Sequence, residues 1–148
     1  MGIIQLRVHI ASSLLGMQED NPLPQFGRQM RNQNVNSLHG FCCTKKILTA
    51  NNLEKRGWPH DPLCKLCNTT LETPKHLCKD CPFTCAVCVE LVNWLNLHQL
   101  PTSGSVSSIY RWWKKYRAMV AKNSKSFFDG FVIYFWWNIW KERRRTFW

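Results

Sequence analysis

Four residues with metal-binding side chains follow one another at close spacing near the middle of the chain. Cys64 and Cys67 form a C-x2-C pair, and after eight further residues His76 and Cys81 form an H-x4-C pair. A C-x2-C pair can turn both sulfurs toward one ion, and a second pair returned by a short loop completes a tetrahedron of three thiolates and one imidazole. The spacing therefore predicts a zinc site. Since four protein ligands leave no open position for water or substrate, we expect the zinc to stabilise the fold and not to catalyse a reaction.

The second half of this ligand set has alternatives. Cys78 and Cys81 form another C-x2-C pair, and Cys85 and Cys88 form a third. The interval between Cys67 and Cys85 also suits a zinc ribbon with four cysteines. Because Cys85 and Cys88 fall inside a predicted helix, the H-x4-C pair is favoured over either four-cysteine set.

The chain has few carboxylates and many cations. Its 148 residues include 20 Lys and Arg against 9 Asp and Glu, which gives a formal net charge of +11. The acidic residues are scattered, so we expect no carboxylate-based catalysis, no enzyme activity and no small-molecule substrate. The positive charge favours polyanionic partners, namely nucleic acid or an anionic membrane surface. Most of it lies in residues 111–148, which hold ten Lys and Arg against Asp129 and Glu142.

The cysteines are expected to be reduced in an intracellular protein. The apolar stretch in Met1–Leu15 is broken by Arg7 and His9, which argues against a signal peptide. The longest apolar stretch, Phe131–Trp140, is shorter than the roughly 20 residues of a membrane span and predicts a buried helix. Without an oxidising compartment, thiols and metal ligands are favoured over disulfides. The basic cluster Lys141–Arg145 is only a weak indication of nuclear localisation.

The elements that must position the zinc ligands are predicted to be helices, so the fold class is mainly α, with a small irregular zinc knuckle between amphipathic helices. A short helix is expected to begin after Thr49 as N-cap and to end at Gly57. Pro82–Asn96 is predicted as an amphipathic helix that begins with its proline. Two further helices are predicted over Ile109–Val120 and over Phe127–Arg145, the latter interrupted or kinked near Gly130.

Composition divides the chain into four segments. Residues 1–40 are predicted to be a flexible arm, because they are rich in Asn, Gln, Pro and Arg and show no sustained periodicity. Residues 41–100 form the zinc-binding module, and residues 101–108 form a Ser- and Gly-rich linker. Residues 109–148 form a basic, Trp-rich helical segment. Its apolar stripe is interpreted as helix core in preference to a base-stacking surface; the stripe comprises Ile109, Trp112, Trp113 and Tyr116.

Motifs around the predicted ligands occur in a known order: Ile47–Leu53, Lys55–Cys67, Glu72–Thr73, His76–Leu77 and Cys81–Phe83. In this order they resemble the reverse transcriptase zinc-binding domain of plant LINE-type (non-LTR) retrotransposons. Further downstream, the chain resembles the segment that follows this module in grass elements. The resemblance covers about residues 41–147. Residues 1–40 match nothing in the family, and Cys88 stands where the family usually has Trp.

The resemblance implies a function as well as a fold. In that family the module lies C-terminal to the reverse transcriptase, and its zinc knuckle is inferred to help engage element RNA or target DNA. By resemblance, zinc is the cofactor and the ligands fall on Cys64, Cys67, His76 and Cys81. A reverse transcriptase is the implied partner in the parent element.

The first functional hypothesis is therefore a non-catalytic zinc-binding module that binds RNA or DNA through exposed cations. The alternatives are a protein-interaction or membrane-surface module built from the Trp-rich helices, or a nonfunctional retrotransposon remnant. The cations predicted to contact phosphate are Lys65, Lys75, Lys79, Arg111, Lys114, Lys115, Arg117, Arg143, Arg144 and Arg145.

Overall fold

A computed structural model describes residues 47–94 and 106–147, together with Gln5 and Val8. Apart from those two residues, the predicted arm lies outside the described part of the chain, as does most of the predicted linker. The described residues form four α-helices and two short helical turns. These are α1 (Ala50–Glu54), a π-helical turn (His76–Asp80), α2 (Pro82–Trp94), α3 (Ile109–Met119), a 3-10 turn (Lys122–Ser124) and α4 (Lys125–Phe147).

The mainly helical class predicted from the sequence is confirmed. In the described ranges, the sole β pairing is an isolated antiparallel bridge between Leu63 and Leu71. Pro82 is the first residue of α2, as its fixed φ and missing N–H favour. Ser108 caps α3, since its side chain accepts a hydrogen bond from the amide of Arg111.

Helix α1 begins and ends with backbone geometry that the sequence indicates. Thr49 is the N-cap, and its carbonyl accepts hydrogen bonds from the two amides three and four residues ahead, both at 2.9 Å. At the other end Gly57 has a φ of +67°, which glycine adopts without steric cost. The amide of Gly57 donates to the carbonyl of Glu54, and the amide of Trp58 donates to that of Leu53. This pair of bonds is a Schellman motif, so the chain leaves the helix at a defined angle toward the metal-binding segment.

The core lies between α2, α3 and α4. From α3, Trp112 and Tyr116 are buried with their ring centroids 5.1 Å apart, and Trp112 also lies 6.2 Å from Trp136 of α4. Helix α2 contributes Val87 and Leu91, both almost fully buried. Each such side chain stabilises the fold by about 1.5–3 kcal/mol relative to leaving it in water. The stripe on α3 is thus a core face, although Trp113 is only half-buried.

Helix α4 is continuous over Lys125–Phe147, and the predicted interruption near Gly130 is absent. Glycine inside a helix costs about 1 kcal/mol relative to alanine. Burial of Phe128, Phe131 and Val132 around it exceeds this cost, because each of them is at most 5% exposed. None of the described helices, α4 included, combines enough length with enough apolar character to cross a bilayer.

A buried ion pair joins α4 to the segment that precedes the π-helical turn. The guanidinium of Arg143 donates from Nη2 to Oε1 of Glu72 at 2.8 Å, and its Nε lies 3.0 and 3.2 Å from the two carboxylate oxygens. The two side chains are 7% and 0% exposed. The same carboxylate accepts a hydrogen bond from the amide of Ala50 at 2.9 Å. Because both charges are buried away from water, each is stabilised by the opposite charge of its partner.

We predict that Arg143→Gln destabilises the fold by about 3–5 kcal/mol, because it leaves the carboxylate of Glu72 buried without a cation. Denaturant unfolding of the zinc-loaded protein, followed by circular dichroism, measures the change. The matched control is Arg145→Gln, on the same helix, where the side chain is half exposed and its ion pair with Glu142 is long, at 3.9 Å. That control should cost at most about 1 kcal/mol. Equal effects of the two variants would contradict a structural role for the buried pair.

Candidate metal centre

The four predicted ligands come together in the structure. The ligand atoms of Cys64, Cys67, His76 and Cys81 all lie within 4.8 Å of one another. The sulfurs of Cys64 and Cys81 are 3.9 Å apart, and Sγ of Cys67 is 3.3 Å from Nε2 of His76. A tetrahedral zinc with bonds of about 2.3 Å to sulfur and about 2.0 Å to nitrogen requires edges of roughly 3.5–3.8 Å. The donor set suits zinc, and these two separations are close to the required edges, whereas the 4.8 Å limit exceeds them by about 1 Å.

A short hairpin holds the first two ligands. The amide of Cys64 donates to the carbonyl of Thr70 at 2.8 Å, and the amide of Asn68 donates back to the carbonyl of Cys64 at 2.7 Å. Asn68 has a φ of +54°, a left-handed conformation that asparagine tolerates better than most residues. The Leu63–Leu71 bridge closes the hairpin. This turn brings the two sulfurs of the C-x2-C pair to the same side of the chain.

A π-helical turn holds the other two ligands. The amide of Cys81 donates to the carbonyl of His76, five residues earlier, at 2.7 Å. In an α-helix of 3.6 residues per turn, side chains five positions apart point about 140° away from each other. The wider i to i+5 turn brings them closer to one face. The H-x4-C spacing and the π geometry are thus two aspects of one requirement, that both side chains reach the same ion.

Three successive carbonyls of this turn are satisfied by side chains from outside it. The carbonyl of Leu77 accepts from Oγ1 of Thr84 at 2.8 Å, and that of Cys78 accepts from Nε1 of Trp136 at 3.2 Å. The third, on Lys79, accepts from the thiol of Cys85 at 3.1 Å. An unpaired buried carbonyl costs about 1–3 kcal/mol, so α2 and α4 stabilise an otherwise unfavourable turn.

The three cysteine thiols of the cluster differ in the direction of their pKa shifts. The hydrogen bond with Cys81 and burial raise the pKa of the Cys64 thiol to about 12, whereas the same hydrogen bond lowers the pKa of Cys81. Burial alone would raise the pKa of Cys67, but the Thr69 hydroxyl, 3.2 Å from its sulfur, contributes to a net lowering. The opposite directions for Cys64 and Cys81 follow from the contact between their sulfurs, 3.9 Å apart. Zinc binds thiolates, so its binding would require the Cys64 thiol to lose its proton.

Backbone amides next to the sulfurs contribute a lowering of the pKa at all three cysteines. Peptide N–H groups two and three residues after each cysteine lower the pKa of its thiol. These groups belong to Leu66 and Cys67 for the first cysteine, Thr69 and Thr70 for the second, and Phe83 and Thr84 for the third. Because they are fixed by the hairpin and by the start of α2, they stabilise negative charge on sulfur without further reorganisation.

The alternative cysteines are placed elsewhere. Cys78 is buried in the core, and Cys85 uses its thiol as a donor to the carbonyl of Lys79. Burial raises the pKa of Cys88 to about 12. None of these three belongs to the group that could hold an ion. The described structure therefore supports the H-x4-C pair over either four-cysteine set.

Two of the predicted phosphate contacts are corrected by the structure. Arg143 is buried in its pair with Glu72, because its position on α4 faces the interior and not solvent. Lys79 is 9% exposed and is paired with Asp80. Neither side chain is presented to a polyanion.

The remaining predicted cations differ in their partners. Several are engaged with carboxylates: Lys65 with Asp61, Lys75 with Asp80, and Arg117 with Asp129. Others are exposed on the two C-terminal helices: Arg111, Lys114, Lys115, Arg144 and Arg145. The latter group is the part of the predicted set that the structure presents to solvent. The metal cluster and these cations lie on different elements.

The fold and the cluster define a small helical zinc-binding module. Residues 26–87 match the family model described as zinc-binding in reverse transcriptase, and the matched segment contains all four residues of the cluster. The resemblance to the reverse transcriptase zinc-binding domain is thereby confirmed for this segment. The match begins at residue 26, so the expectation that residues 1–40 match nothing in the family is wrong for residues 26–40. It ends inside α2, so α3 and α4 lie beyond it. No curated protein and no solved structure matches the chain.

We predict that the purified chain binds about one zinc ion and that each of Cys64→Ser, Cys67→Ser, His76→Ala and Cys81→Ser loses it. Loss follows because three ligands no longer complete the tetrahedron. Elemental analysis measures the zinc content, and thermal melting with and without a chelator measures its contribution to stability.

The matched control for the ligand variants is Cys88→Ala, which removes a thiol that lies outside the cluster. This control should retain zinc. A control that loses zinc while one of the four ligand variants keeps it would show that the ligand set is wrong.

Proposed function

We propose that the chain is a non-catalytic zinc-binding module that binds RNA or DNA and derives from a retrotransposon reverse transcriptase polyprotein. The observation that carries the proposal is the closed Cys3His cluster within a segment that matches the reverse transcriptase zinc-binding family. The plant LINE-type origin and the association with a reverse transcriptase are parts of the same proposal. They rest on the order of motifs around the ligands.

Zinc would act as a cross-link between the hairpin and the π-helical turn. Cys64 and Cys67 would hold it from the hairpin, and His76 and Cys81 would hold it from the turn and its end. When bound, the ion supplies positive charge that keeps the sulfurs ionised. The cluster supports a structural role because two of its cysteines are fully buried and four protein ligands satisfy the tetrahedron.

The exposed face of α3 supports nucleic-acid binding. One side of this helix packs into the core through Ile109, Trp112 and Tyr116. The opposite side is exposed and carries Arg111, Lys114 and Lys115. Neither lysine has an acidic partner among the described residues. Cations that are not already neutralised can replace the counterions of a phosphate backbone, and their release favours binding.

We predict that zinc-loaded protein binds RNA or DNA with an affinity that falls steeply as salt rises, and that Arg111→Gln/Lys114→Gln/Lys115→Gln weakens it. The log–log salt slope should become shallower by about 0.7–0.9 for each phosphate that the variant no longer neutralises. Fluorescence anisotropy of a labelled oligonucleotide over a series of salt concentrations measures both quantities.

The control for this experiment is Lys55→Gln/Arg56→Gln/Lys122→Gln, which removes the same charge from exposed positions outside α3. An equal reduction in both triple variants would show that net charge, and not the α3 face, governs binding. Absence of binding to either nucleic acid, together with partitioning onto anionic vesicles, would overturn the proposal in favour of a membrane-surface module.

A further inference from the structure

One face of α4 carries an exposed ladder of aromatic and cationic side chains. The rings of Trp137 and Trp140 are stacked, with centroids 5.4 Å apart and planes at 29°. The guanidinium carbon of Arg144 lies over the ring of Trp140, 4.9 Å from its centroid. Trp140 also packs partly against the core, whereas Trp137 remains 40% exposed. Trp140 is therefore anchored by the core, and part of the apolar ring of Trp137 meets solvent.

The ladder carries cations that are not neutralised within the described residues. Arg144 has no carboxylate partner there, and neither has the neighbouring exposed Lys141. Arg117 also lies over a tryptophan ring, 5.5 Å from the centroid of Trp113, but its charge is paired with a carboxylate. There Asp129 accepts hydrogen bonds both from the guanidinium and from the indole N–H, at 2.9–3.0 Å, and cancels the charge. The α4 ladder therefore joins an open aromatic face to uncompensated positive charge.

We infer that the ladder of Trp137, Trp140 and Arg144 is a stacking platform for unpaired bases and that the preferred ligand is a single-stranded nucleic acid. Bases that are not paired can lie on an indole face, and base–aromatic stacking does not depend on the identity of the base. The backbone of the same strand can then contact Lys141 and Arg144. Bases inside a duplex are already stacked and cannot reach the platform. This inference rests on the proposed function and names its ligand.

The test compares a labelled oligothymidylate with a labelled duplex of the same length, both titrated with zinc-loaded full chain. Trp137→Leu and Arg144→Gln remove parts of the platform that are exposed, so the fold should survive; melting curves and zinc content verify this. The matched control is Trp58→Leu, which removes a tryptophan that is 53% exposed and has Arg56 near its ring. This control removes a comparable exposed tryptophan beside an arginine, but from a position outside α4.

We expect Trp137→Leu to weaken single-strand binding by about 5-fold or more, since one base no longer has a ring to stack on. We expect Arg144→Gln to weaken single-strand binding as well, whereas Trp137→Leu leaves duplex binding unchanged and Trp58→Leu has no effect on either ligand. Normal single-strand affinity in both α4 variants, or a reduction by Trp137→Leu that is equal for the single strand and the duplex, would overturn the inference while the proposed function stands. Failure of the unaltered protein to bind either ligand would overturn both.

Discussion

The described fold depends on the buried pair between Glu72 and Arg143. Glu72 lies at the point where three elements meet: its amide donates to the carbonyl of Pro62, and its carbonyl accepts from the amide of Asn51. Its carboxylate binds Arg143 on α4 and the first amide of α1. No apolar residue could form these contacts in its place, because α1 would lose the acceptor for its first amide. One charged pair thus joins α1, the end of the hairpin and the last long helix.

The metal cluster borders the apolar core. Cys64 lies in the core and Leu66 packs against it, but Leu63 and Leu71, which form the bridge of the hairpin, are both exposed. A short hairpin of this kind buries little apolar surface, and a bound metal would add free energy of folding. The π-helical turn connects the two regions. It carries His76 toward the cluster and offers the carbonyl of Cys78 to Trp136 in the core.

The sequence predicts the parts of this structure whose causes are local. Three features depend only on residues close in sequence: the C-x2-C pair, the glycine at 57 and the proline at 82. The structure confirms each of them: the pair lies in the cluster, Gly57 has a positive φ, and Pro82 begins α2. The ion pair could not be predicted in this way. Its partners are 71 residues apart, and a buried arginine contradicts the usual distribution of charged side chains. Arg143 belongs to the same basic run as Arg144 and Arg145, and the register of α4 alone separates it from them.

The π-helical turn was also not predicted, although its cause is local in the sequence. Helix prediction relies on a period of 3.6 residues, which cannot indicate a turn of wider pitch. The ligand spacing itself contained the signal, because a histidine and a cysteine five positions apart do not share a face of an α-helix. Once both must bind one ion, the backbone has to widen, and its displaced carbonyls need donors from other elements. Thr84, Cys85 and Trp136 supply them. The choice of metal ligands therefore determines not only the hairpin and the turn but also polar contacts inside the helical core.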